Sequence, residues 1–164
     1  MGSMGWNGVG MLIEVKGKMD ADQYCQILDE GVVKSFEKLE IEEGEQYFQQ
    51  DDDPKHASWK TQKWFEDKNI QVLSWPAQSP NLNPIEHLWD HLKHKLQEYE
   101  TLPCGAHELW DRLVEEWNAI TPEIGQNLIE SMPRRIQAVI RAKVAIPSIK
   151  MDTQTIVPIS LHFV

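Results

Sequence analysis

Trp75 to Trp89 reads WPAQSPNLNPIEHLW, and the fold turns on how this stretch divides. Pro76 and Pro80 keep its first half out of regular structure, so Trp75 to Leu82 reads as an ordered turn or loop. Asn83-Pro84 then opens a helix, with asparagine suited to the cap and proline to the first helical position. Ile85, Leu88, Trp89, Leu92, Leu96 and Tyr99 recur at helical spacing and give that helix one apolar stripe. Glu86 falls at the third helical position, where it completes a capping-box pattern with Asn83. Read locally, Glu86 is first a cap and only second a metal ligand.

Upstream, Gln46 to Gln50 is a short strand candidate that ends at Asp51, and Gln49 to His56 reads QQDDDPKH. Thirty-four residues lie between Asp51 and Glu86. Local reading makes Asp51, Asp52 and Asp53 a solvated acidic turn before Pro54. Chemistry offers a second reading. In-line phosphoryl transfer uses two hard cations about 3.5–4 Å apart, held by oxygen ligands. Carboxylates at a strand end and in the first turn of a nearby helix can converge on such a pair.

Around these segments the chain alternates. Trp6 to Lys16 predicts a hairpin, with Asn7-Gly8 at the turn and Met11 to Val15 as a strand. Asp20 or Asp22 can cap a helix whose apolar positions are Tyr24, Ile27, Leu28, Val32, Phe36 and Leu39. Ser58 to Asp67 predicts a helix with Trp59 and Trp64 as packing residues, and Ile70 to Leu73 a second short strand. Pro103-Cys104-Gly105 ends the Glu86 helix, and Leu109, Trp110, Leu113, Val114 and Trp117 form the next stripe. Thr121-Pro122 opens another helix, and Pro133 restarts one ending near Lys143. This order predicts an α/β domain over residues 1–143, a small mixed sheet covered by helices. From Val144 to Val164 the helical period disappears, leaving a divergent tail that is either a loose extension or an added strand.

Composition sets limits on function. The 164 residues suffice for one core, and 41% are hydrophobic. No apolar run approaches a membrane span, and no secretory signal precedes the hairpin, so no membrane partner is expected. Cys25 and Cys104 make neither a disulfide framework nor a metal-site spacing. The net charge of -10 argues against a chain that coats DNA by itself, though not against a nuclease whose acidic site meets DNA through bridging cations.

The strand Tyr47-Phe48-Gln49-Gln50-Asp51, the following Asp53-Pro54-Lys55-His56 and the segment Trp75 to Trp89 together resemble the DDE transposases of the Tc/mariner group. The similarity runs from about Gly5 to Lys143. It includes Trp6-Asn7-Gly8-Val9-Gly10 and the late segment Asn127 to Arg135. The resemblance implies a ribonuclease H-like fold and dependence on Mg²⁺ or Mn²⁺. It implies metal-dependent DNA cleavage and strand transfer in transposition and integration, with transposon ends and target DNA as partners. It makes Asp51 and Glu86 the second and third catalytic carboxylates and metal ligands. A nuclear location follows from the presumed DNA substrate, and a homodimer is a possible partner state that the sequence leaves open.

The resemblance also sets an expectation of loss. The family's catalytic domain opens with a strand bearing its first aspartate, whereas this chain begins inside the next hairpin. The expected sheet therefore lacks its central first strand, and the site its first carboxylate. The enzyme assignment then stays open, and the alternative function is an inactive transposase-derived module binding nucleic acid or protein. Asp52 also stands where the family has asparagine.

Other residues carry two readings each. Lys55 and His56 are either DNA contacts beside Asp51 or simple turn residues. Arg134 and Arg135, with Arg141 and Lys143, are either phosphate contacts or a solvated helix face. His87, His91 and His94 have the spacing of a zinc-binding face, but a polar outer face opposite the apolar stripe explains them better.

Overall fold

Gly2–Gly5 (β1) and Gly8–Leu12 (β2) pair antiparallel, with Gly5 opposite Gly8 and Met4 opposite Val9. The hairpin thus sits earlier than expected, since the strand placed at Met11 to Val15 begins directly after the turn. Two glycines explain the shift. Gly8 adopts φ +125°, which its neighbours in the alphabet avoid. A Cβ at Gly10 would lie 2.2 Å from Ser3 Oγ and 2.5 Å from Ser35 Oγ. Glycine lowers strand propensity, so the sequence hides a strand that close packing requires. The structure, a computed structural model, describes residues 1–50, 56–73, 82–142 and 159–160.

Ser35 is the reason for that close approach. Its Oγ lies 2.7 Å from Ser3 Oγ, accepts the Met11 amide at 2.9 Å and donates to Gly31 O at 2.5 Å. Ser35 belongs to a continuous helical run. Asp20 caps α1 (Ala21–Ile27) by accepting from Gln23 N at 2.9 Å. A π-helical stretch, Leu28–Val33, follows, and then α2 (Lys34–Lys38).

β3 (Tyr47–Gln49) pairs parallel with β4 (Gln71–Val72), Tyr47 opposite Gln71. The crossover between them is α3 (Trp59–Asp67), capped by Ser58, whose Oγ accepts from Thr61 N at 3.2 Å. On its other edge β3 pairs parallel with β5 (Ile159–Ser160), Phe48 opposite Ile159 and Gln49 opposite Ser160. β5 also lies beside β1. Of the tail, Ile159–Ser160 is thus a strand, and its remaining residues lie outside the described ones.

The remaining helices are α4 (Pro84–Gln97), α5 (Ala106–Asn118), α6 (Pro122–Glu130) and α7 (Met132–Arg141). Helices pack on both sides of the strands, with α2 and α6 both against β2. One apolar cluster joins Met1, Tyr24, Leu28, Phe36, Phe48 and Phe65. The other joins Met4, Ile85, Leu88, Trp89, Leu92 and Trp117. The predicted stripe of α4 is thus real. In α5 the stripe works chiefly through Trp117, which stacks on Trp89 at 5.3 Å and donates its indole N–H to Gly10 O at 3.0 Å. No helix among the described residues is long and apolar enough to cross a membrane.

Candidate active site between β3 and α4

β3 ends in the interior. Phe48 and Gln49 are buried, and Gln50 follows before Asp51. Asp51 and Lys55 lie outside the described residues, but both flanks of their segment are held. Gln50 Nε2 donates to His56 O at 3.4 Å, linking the residues on either side of it. Tyr24 OH donates to Gln50 Oε1 at 2.7 Å, and the Tyr24 ring stacks on His56 with centroids 4.3 Å apart. Tyr24 is fully buried in α1, so one aromatic side chain ties a helix to both Gln50 and His56. Sequence reading counts Tyr24 only as an apolar stripe position. The signal it passes over is the hydroxyl, since a buried tyrosine needs a polar partner.

Glu86 stands in the first turn of α4. Asn83 caps α4, its Oδ1 accepting from Ile85 N at 3.4 Å, and Pro84 fills the first helical position as expected. Leu82, Asn83, Pro84 and Ile85 are all buried, whereas Glu86 is half-buried. The cap therefore fixes the backbone in the core and leaves the carboxylate at its edge. The positive end of the helix favours a negative charge there.

A family model described as a DDE superfamily endonuclease matches residues 1–106. The Tcb1 transposase of Caenorhabditis briggsae is 39% identical over 136 residues, covering 82% of this chain and 48% of that protein. The Tc1 transposase of Caenorhabditis elegans is 40% identical over 134 residues, again covering 82% of this chain and 48% of its own length. The chain belongs to the Tc/mariner group of DDE transposases. This transposase domain spans about half the length of the curated relatives it matches. Its fold is the ribonuclease H-like one of the Mos1 transposase catalytic domain. The Mos1 structure with raltegravir and Mn matches at TM-score 0.72 and 22% identity, over 87% of this chain and 74% of that one. A pre-cleavage Mos1 transpososome matches at TM-score 0.73 and 21% identity, over 87% of this chain and 43% of that one.

The transposase domain brings α7 to the same region. Leu82, one residue before the cap, packs with Met132 and Ile136 of α7. Arg134 and Arg135 lie on that helix. Arg134 is exposed. Arg135 is half-buried, and its buried Nη1 has no hydrogen-bond partner among the described residues. Burial, and then the charge of Arg134, hold the Arg135 pKa below the usual arginine range. An arginine nitrogen poised this way gains from an anion.

Two other expectations change. His56 is 1% exposed, so the structure gives it a place inside the bracket rather than on the surface. Trp59, expected to pack, is 74% exposed at the start of α3, with Lys63 Nζ 5.4 Å from its ring centroid. Trp64 does pack against the first core cluster. No group of three or more His, Cys, Asp or Glu is placed to hold a metal among the described residues, so His87, His91 and His94 form no zinc site there.

Proposed function

We propose that this chain is the catalytic part of a transposase, cutting DNA and transferring strands with Mg²⁺ or Mn²⁺ held by Asp51 and Glu86. What carries the reading is the pairing of family membership with the placement of Glu86, a half-buried carboxylate at the tip of a capped helix. The donor set fits hard cations, which take carboxylate oxygens. When bound, such ions activate the attacking oxygen and stabilise the leaving one.

The chain's own residues supply position. Tyr24, Gln50 and His56 hold one another on either side of the segment that contains Asp51. Asn83 and Pro84 aim Glu86. Arg134 and Arg135, with Lys55, offer cationic contacts for DNA phosphates. Solved neighbours include a Mos1 paired-end complex with Mn and a Mos1 strand transfer complex. They support DNA as a partner, and we extend this to transposon ends and target DNA, a second copy as co-worker and a nuclear site of action.

The test is nicking of supercoiled plasmid in Mn²⁺ by the purified chain beside its Asp51→Asn and Glu86→Gln variants. Nicking lost in both variants is the expected result. Nicking that survives both removes these residues as ligands. A folded chain without nicking would favour the inactive, binding-only alternative.

A further inference from the structure

Trp59 opens α3 and is the most exposed tryptophan among the described residues. Nothing in the local fold asks for an indole there. Ser58 supplies the cap, and the helix turns Thr61 and Phe65 inward. Thr61 Oγ1 lies 2.9 Å from Ser58 Oγ, and the Phe65 ring is tilted on Phe48 at 5.0 Å. Trp59 and Lys63, four residues apart, share the outer face, and the Lys63 ammonium stands over the indole. The other lysines of α3 and its C-cap are engaged: Lys60 is bonded to Asp22 at 2.5 Å, and Lys68 is paired with Asp29 at 2.9 Å. Lys63 makes no ion pair among the described residues. Its charge is left to the ring and to whatever lies on that ring.

α3 is also tied to the candidate site. His56, three residues before Trp59, stacks on Tyr24 and accepts the Gln50 side-chain amide on its carbonyl. α3 packs against α1, the helix that carries Tyr24, and the Lys60–Asp22 pair joins the same two helices.

We propose that Trp59 and Lys63 form a stacking site for an unpaired base of DNA, the indole taking the face of the base and the ammonium its adjoining phosphate. Stacking of this kind is indifferent to sequence, because every base has a π-face. Bases inside a duplex are already stacked on both sides, so the platform selects unpaired DNA. A base that is already single-stranded reaches such a platform at least cost, and nicking frees a strand end that can supply one. A free cation beside the ring complements the phosphate that accompanies the base. The site deepens the reading of the chain as a DNA-cutting domain and rests on it.

Fluorescence anisotropy of the full chain, without divalent ions so that no strand is cut, compares three labelled probes of equal length. One is a single strand of thymidines, one the same strand built from abasic spacers, and one a duplex. Trp59→Ala should weaken binding of the thymidine strand about tenfold, the size of one lost stack, and leave the other two within about twofold. Trp59→Phe should recover most of the loss, because it restores a ring. Lys63→Gln should weaken the thymidine and abasic strands alike, because it removes a phosphate contact. Both side chains are exposed, so each variant should melt within about 2 °C of the parent.

Equal losses on the thymidine and abasic strands in Trp59→Ala would overturn the stacking role. A thymidine strand bound unchanged by Trp59→Ala would overturn it as well. Arg134→Ala separates this outcome from the wider reading. Duplex binding that weakens in Arg134→Ala, while Trp59→Ala changes nothing, would remove the stacking site and leave DNA as a partner. A full chain that binds none of the three probes would remove both.

Discussion

Glu86 carries two local meanings, helix cap and metal ligand, and glutamine separates them because it keeps the shape and loses the charge. A carboxylate near a helix N-terminus contributes roughly 0.3–1 kcal/mol. Glu86→Gln should therefore lower Tm by no more than about 4 °C. Metal-dependent nicking should fall at least a hundredfold. A large stability loss with nicking intact would assign the residue to capping alone. Tyr24→Phe probes the bracket in the same spirit. It keeps the stack on His56 and removes the bond to Gln50. The expected cost is about 0.5–1.5 kcal/mol in urea unfolding, with a clear drop in nicking. Unchanged nicking would reduce Tyr24 to a packing residue. Asp51 and Glu86 stand out as candidates in the sequence because a particular run of residues surrounds each. Tyr24 does not, because its partners stand 26 and 32 residues away and its helix gives it an ordinary apolar place.

Elements whose ends are written in local chemistry were the most readable. Asn83-Pro84 marks the start of α4 and Ser58 that of α3, and both helices begin there. Asn83→Ala should cost about 1 kcal/mol, seen as a Tm lower by roughly 2–4 °C. Nicking should weaken in parallel, since the same cap aims Glu86. A Tm that does not move would mean that buried Pro84 and Ile85 alone fix the helix start. Strands were read less well. β2 was displaced because Gly8 and Gly10 look unlike a strand until the positive φ of Gly8 and the packing of Ser35 against Gly10 are seen. β5 was not placed in the sequence, since the strand it pairs with, β3, lies more than half the chain away.

Acidity governs the molecule as a whole. Twenty-six acidic residues face 16 basic ones, so the chain repels DNA except where cations gather. Arg134 and Arg135 are such a place. With those two contacts the logarithm of DNA affinity should fall against the logarithm of salt with a slope near -2, about 0.9 per phosphate. Arg134→Ala should reduce that slope by about 1, measured by fluorescence anisotropy without divalent ions. A slope unchanged in the variant would return α7 to a solvated face. This charge balance was plain in the sequence. The clustering of α7 beside the α4 cap was not, because it depends on Leu82 meeting Met132 and Ile136.

Trp117 reaches back 107 residues to Gly10, and β5 reaches back to the first strand and the third. Translation delivers the hairpin well before these partners. At about 5–20 residues per second, β1 and β2 wait several seconds on the ribosome for the side chain and the strand that cover them. Contacts of such long sequence separation also slow folding after release. During that interval an uncovered edge and two glycine-rich strands are open to other nascent chains, so the yield of folded protein should depend on chaperones and on growth temperature more than final stability would suggest.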